Sequence, residues 1–179
     1  MLKKLKGFSL LELIVTISIA TILFALMIPS QKIFIDKTAE QVSSSQLLRA
    51  MSLARSEASS RGRVVSLCKS SDQKTCTGNW EQGQIIFVDE NQNGQVQDSS
   101  YVLFSFASIK SGKIFWKSSL HKAYLQFLPT GFTNSQNGTF WFCEKDEKVP
   151  AWIIRVNRLG RARMINDAVE INKEKELTC

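Results

Sequence analysis

The chain has 179 residues, 44% of them hydrophobic and 22% charged, with a formal net charge of +7. That length has room for one apolar anchor and one domain of roughly 120 to 150 residues. With a single histidine, His121, no Ser-His-Asp or Cys-His pattern and no Gly-rich phosphate loop, nothing points to an enzyme or to a cofactor.

The first element is the apolar stretch "KGFSLLELIVTISIATILFALMIPS", residues 6–30. Read as one helix from Phe8 to Ile28 it spans roughly 30 Å, the thickness of a hydrocarbon core. Lys3, Lys4 and Lys6 precede it, so the positive-inside tendency holds the extreme N-terminus in the cytoplasm and sends the rest outward. A secretory signal has a shorter apolar core with its small residues after it, whereas here Gly7 comes before the run. Glu12 is the anomaly, because a lone carboxylate at membrane depth costs a few kcal/mol. Cleavage after Gly7 would place a free amine on Phe8, four residues from Glu12. That amine, or the same amine on a neighbouring copy, could pair with the carboxylate and turn a liability into an assembly signal.

Residues Lys6-Gly7-Phe8-Ser9-Leu10-Leu11-Glu12-Leu13, followed by an apolar helix and Pro29, resemble the class III signal of type IV pilins and of the pseudopilins of type II secretion. The resemblance implies a leader of residues 1–7 removed by a prepilin peptidase. It also implies an N-methylated Phe8 and a Glu12 carboxylate that meets a neighbour's terminal amine in a filament of pilin subunits. Residues 8–28 would then be the transmembrane and filament-core helix. The expected location is the inner membrane with the head in the periplasm, then the pilus or cell surface after assembly.

Residues 29–61 continue as an amphipathic helix. Leu47, Met51, Ala54 and Ala58 recur at spacings of three and four, Arg49, Arg55 and Glu57 lie off that stripe, and Gly62 is a plausible stop. The helix is expected to bend near Pro29 and to pack one stripe on a globular head. Residues 62–179 then carry short β-type runs at 63–68, 84–89, 101–107, 113–117, 124–128, 139–143 and 152–157. Turn residues separate them at Gly78-Asn79, Asn93-Gly94, Ser111-Gly112, Pro129-Thr130-Gly131 and Asn137-Gly138, and no helical pattern intervenes. Antiparallel meanders are therefore expected over βαβ units, giving an α+β fold in which one long helix carries a β-rich head.

The cysteines are even in number and fall in a domain bound for an oxidising compartment. "CKSSDQKTC" reads as a local clasp between Cys68 and Cys76, which leaves Cys143 to tie down Cys179. Loop entropy puts these bridges at roughly 2.5 and 4 kcal/mol. Zinc is the rival, but the ligand spacings do not suit it and His121 is not near a paired cysteine motif.

Within the head, "GQIIFVDENQNGQVQDSSYVLFSF" (83–106), "LQFLPTGFT" (125–133) and "RLGRARM" (158–164) resemble segments of one branch, the GspH/FimT minor pilins. That family divides between secretion pseudopilins and pilus subunits that include DNA-uptake factors. "DENQNGQVQDSS" also matches the opening of a calcium loop at Asp89, Asn91, Asn93 and Gly94. Its twelfth position is Ser100 where a bidentate Glu is needed, so a hairpin at Asn93-Gly94 is preferred to a metal site.

The arginines carry the functional expectation. Without the leader, 20 basic against 16 acidic residues leave a net +4, so position matters more than total. Arg155, Arg158, Arg161 and Arg163 fall within nine residues that hold no acid, and Asp167, Glu170, Glu174 and Glu176 come only afterwards. "VNRLGRAR" reads as strand, tight turn and return strand, which places 161 and 163 on one face and Arg158 at the turn. Four guanidiniums there make a fork for phosphate oxygens, with Arg161 and Arg163 foremost. Lys145 and Lys148 could extend the surface, though Glu144, Asp146 and Glu147 interleave with them. The expectation is a minor type IV pilin that binds DNA without sequence preference for uptake in natural transformation. The alternatives are a charged edge hairpin on a structural pseudopilin of type II secretion, or a pilus-initiating subunit that contacts protein partners only.

Overall fold

The structure is a computed structural model that describes residues 9–27, 30–109, 111–145, 147–174 and 176–179. The chain forms two compact units, Met1–Asp36 and Lys37–Cys179. In the first, α1 runs from Leu10 to Met27. Its hydroxyls fold back onto the helix: Thr16 donates to the Leu13 carbonyl (2.8 Å), Ser18 to that of Ile14 (2.8 Å) and Thr21 to that of Ser18 (2.9 Å). Their polarity is thus satisfied inside the apolar helix, which leaves Glu12 as its sole charge. α1 measures about 27 Å, and among the described residues no helix is long and apolar enough to cross a membrane. The expected span also takes in Phe8 and Ile28, which lie outside the described residues, as do Gly7 and the expected bend at Pro29.

The second unit takes the greater part of α2 (Ser30–Arg61). The stripe Leu47, Met51, Ala54 and Ala58 is buried as its spacing predicts, and Ala50 joins it. α2 ends at Arg61, and Gly62 follows at φ +64°, the left-handed stop that glycine adopts at least cost.

Eight strands follow among the described residues: β1 (Val65–Lys69), β2 (Gln84–Val88), β3 (Val102–Phe106), β4 (Lys113–Ser118), β5 (Tyr124–Phe127), β6 (Gly138–Cys143), β7 (Trp152–Val156) and β8 (Ala162–Ile165). Each predicted run is a strand, and the return strand after Gly160 is β8. All pairings are antiparallel, but they form two sheets rather than one meander, in the orders β3-β2-β1-β5 and β4-β6-β7-β8. β4 leaves the first sheet to pair with β6, and β5 returns to pair with β1. Local turn signals cannot reveal that exchange, because it is decided by which apolar faces meet.

One face of each sheet meets the α2 stripe in a common core. Leu67, Ile86, Leu125 and Phe127 come from the first sheet, and Ile114, Phe140, Phe142, Trp152 and Ile154 from the second. Trp152 stacks on Phe142, and its indole N–H donates to Ser43 Oγ (3.0 Å), tying β7 to α2. Burying each such large side chain contributes roughly 1.5–3 kcal/mol, which fixes the sheets on the helix.

The outer face of the first sheet is covered by two loops. In one, the Cys68–Cys76 bridge closes a clasp. Asp72 accepts from the Thr75 hydroxyl and from the Thr75 and Lys74 amides, and these bonds, the hydroxyl foremost, hold its carboxyl well below the usual range. In the other, residues 89–101 join β2 to β3, a longer connection than the expected tight turn. The buried Asp89 carboxylate accepts from Ser66 Oγ (2.7 Å), Gln126 Nε2 (2.7 Å) and the amides of Asn93 and Gly94. Its oxygens already have protein donors, so this motif works as a structural knot. Gly94 is required there, because a β-carbon would fall 2.1 Å from the Tyr124 ring.

The outer face of the second sheet is covered by the segment after β8. Asp167 caps a short helix, α3 (Ala168–Ile171), accepting from the Val169 and Glu170 amides. Ile171 and Leu177 pack on Ile153 and Ile165, and Cys143–Cys179 fastens the segment to β6. The sequence reading had no helix after the strands, yet Asp167 followed three residues later by Glu170 is the signature of a helix start.

Candidate nucleic-acid interface

β7 and β8 form the arginine hairpin. Their register pairs Val156 with Ala162 and Arg155 with Arg163, so the last two stand side by side on the outer face. On the inner face Ala162 and Met164 pack on the core, and this alternation sends the arginines outward. The tip is Asn157-Arg158-Leu159-Gly160-Arg161. Gly160 donates to the Asn157 carbonyl (3.0 Å), Asn157 N–H donates to the Arg161 carbonyl (3.1 Å), and the Asn157 side chain accepts from the Arg161 amide (3.0 Å).

A second segment clamps the tip. The Thr133 amide donates to the Arg158 carbonyl (3.0 Å), and its single hydroxyl proton is shared between the Gln136 carbonyl and that same Arg158 oxygen (3.1 Å). Gly160 sits at φ +72° so close to the loop before Thr133 that a β-carbon would lie 2.4 Å from the Gly131 carbonyl oxygen. The hairpin is therefore held from outside its own sheet.

All four arginines line one open groove of about 890 Å³, together with Asn137, Gly138 and Thr139. They are not equivalent. Arg155 pairs with Glu174, and Arg163 pairs with Glu170 at 3.4 Å. The acids that follow the hairpin in sequence thus return over it, because Ile171 and Leu177 must cover Ile153 and Ile165. Two of the four guanidiniums expected to form the fork are therefore paired with carboxylates. Arg158 and Arg161 are exposed and have no carboxylate partner among the described residues. Of the two arginines expected to be foremost, Arg163 is paired and Arg161 has no carboxylate partner among the described residues.

Sequence reasoning missed one cation. A β-carbon built on Gly131 would lie 3.1 Å from Arg55 Nε, so this α2 side chain reaches the clamping loop. Its place off the buried stripe signalled exposure but not direction. Lys145 and Lys148 do not extend the surface. They follow Cys143, at the end of β6 where Phe142 pairs with Trp152, whereas the arginine tip adjoins the opposite end, where Gly138 pairs with Val156. His121 is exposed in the turn after β4, whose last residue, Ser118, pairs with Gly138. Among the described residues no cluster of His, Cys, Asp and Glu could hold a metal.

An N-terminal helix and a head of antiparallel sheets make the type IV pilin fold. The chain matches the model of the Type II transport protein GspH family over residues 43–160, and that of the prokaryotic N-terminal methylation motif over residues 2–28. It belongs to the GspH family of minor pilins and pseudopilins. Among solved structures it is similar to the type IV minor pilin FimU of Pseudomonas aeruginosa, with 20% identity, a TM-score of 0.57, and 74% of this chain and 92% of that chain covered. It is also similar to the minor pseudopilin EpsH from the Type 2 Secretion System of Vibrio cholerae, with 11% identity, a TM-score of 0.50, and 73% of this chain and 97% of that chain covered. No curated protein matches.

Proposed function

We propose that this minor pilin binds DNA through the phosphate backbone at its arginine hairpin, serving DNA uptake in natural transformation. One observation carries the reading: four arginines line a single groove, two of them without a carboxylate partner among the described residues. Guanidiniums engage phosphate oxygens bidentately, and such contacts carry no base information directly. In the same reading a prepilin peptidase cuts after Gly7 and Phe8 becomes the methylated first residue. α1 anchors the chain in the inner membrane with the head in the periplasm, and Glu12 pairs with a neighbouring subunit as the filament assembles at the cell surface.

The test is a titration of duplex DNA against salt with the full chain in detergent. Each neutralised phosphate adds about −0.9 to the slope of log K on log salt, so Arg158 and Arg161 together give roughly −1.8. Replacing both with Ala should flatten the slope by that amount, equally for unrelated sequences. A folded double variant with unchanged affinity and slope would exclude the hairpin. Absence of binding by the parent at low salt would favour the second reading, a structural subunit of a secretion or pilus filament whose arginines meet acidic residues of a protein partner.

A further inference from the structure

Two large apolar side chains stand uncovered beside the unpaired arginines. Phe132 is 48% exposed and Leu159 is 44% exposed. Each adjoins one of the two glycines whose backbones touch: Phe132 follows Gly131, and Leu159 precedes Gly160. Thr133, next to Phe132, holds the Arg158 carbonyl from two atoms. The loop carrying Phe132 is itself closed, since the Gly131 amide donates to the Leu128 carbonyl (2.8 Å) and the Leu128 amide to the Phe132 carbonyl (2.8 Å). The two exposed apolar residues thus stand on segments whose backbones meet. Arg158 and Arg161 belong to the same hairpin tip as Leu159, Arg55 reaches Gly131, and none of the three has a carboxylate partner among the described residues.

Exposed apolar residues scattered singly need no explanation, but an exposed aromatic ring on the segment that clamps an arginine-bearing tip fits a ligand that is both flat and anionic. Nucleobases on a phosphate chain meet that description. Aromatic side chains stack on them without regard to sequence, while arginines track the backbone. In a duplex the base faces are covered by their neighbours, whereas a single strand presents them freely. We infer that Phe132, backed by Leu159, is a base-stacking platform, and that the favoured ligand of this surface is single-stranded DNA. The inference rests on the phosphate-binding reading and extends it from charge to strand state.

Anisotropy titrations of the full chain in detergent would use three labelled probes of equal length: a mixed-sequence single strand, its duplex, and an abasic sugar–phosphate strand. The parent should bind the base-bearing strand about tenfold more tightly than the abasic one, the size expected for one stacked base. Phe132→Ala should abolish that preference while leaving abasic binding and the salt slope unchanged. Phe132→Trp should keep it. Equal binding of the base-bearing and abasic strands by the parent would overturn the platform and leave the phosphate reading standing. A Phe132→Ala loss shared equally by all three probes would overturn it too, because that is the mark of a support for the tip. Tighter binding of an acidic peptide of matched charge would transfer the patch to a protein partner. No binding of any probe would remove the phosphate reading and this inference together.

Discussion

At the scale of single residues, Gly160 decides whether the arginine tip exists. Two glycines with similar backbone angles make the point. Gly62 stands at φ +64° with nothing within 4 Å of a built β-carbon, while Gly160 at φ +72° would drive one to 2.4 Å from the Gly131 carbonyl oxygen. Gly62→Ala therefore incurs only the left-handed strain, about 1 kcal/mol. Gly160→Ala must also push the hairpin off the clamping loop, and its total loss should reach about 1–3 kcal/mol or more. Urea denaturation of both variants would measure the difference. If the tip carries the phosphate contacts, Gly160→Ala should also weaken binding of duplex and single strand alike, and Gly62→Ala should not.

At the scale of elements, the segment after β8 is the unexpected part. Its Glu174 and Glu170 carboxylates pair with Arg155 and Arg163, and a phosphate would have to displace them if the proposed reading holds. Glu170→Gln with Glu174→Gln should release both guanidiniums. DNA affinity should then rise, and the salt slope should steepen by about 1.8 in magnitude, 0.9 for each phosphate gained. The fold should survive, because exposed ion pairs contribute little to stability. Identical slopes for parent and variant would mean that these two arginines face no phosphate. The strands were legible as short runs of β-type residues bounded by turn residues, as at Val65–Lys69 and Trp152–Val156, and the α2 stripe from the spacing of three and four at Leu47, Met51, Ala54 and Ala58. Both cysteine bridges were legible for a similar reason, the short Cys68–Cys76 spacing leaving one pairing for the other two. The exchange of β4 and β5 between sheets was not legible, nor was the return of Glu170 and Glu174 over the arginines, since both are set by long-range burial. Arg55 escaped notice because α2 and the loop at Gly131 are distant in sequence and adjacent in space.

At the scale of the whole molecule, Glu12 is the exception in the apolar helix. It is the only charge in Leu10–Met27, and the helix satisfies its own hydroxyls without it. If its role is to meet a terminal amine, Glu12→Ala should leave membrane insertion and leader removal intact, since deleting a charge makes the helix more apolar. Incorporation into filaments should fail. Fractionation of sheared filaments against membranes measures this directly, and normal recovery of the variant in the filament fraction would refute the pairing.

The double acceptance at the Arg158 carbonyl has a thermodynamic consequence. Because Thr133 and Gly131 hold the tip from a remote segment, a ligand meets backbone that is already ordered. Association then incurs mainly side-chain freezing, about 0.5–1.5 kcal/mol for each immobilised arginine, with no loop to fold. Calorimetry should accordingly find a heat-capacity change far smaller than that of coupled folding and binding. Encounter should be limited by diffusion and charge steering, with no conformational step, so the on-rate should fall with salt as steeply as the approach of opposite charges dictates.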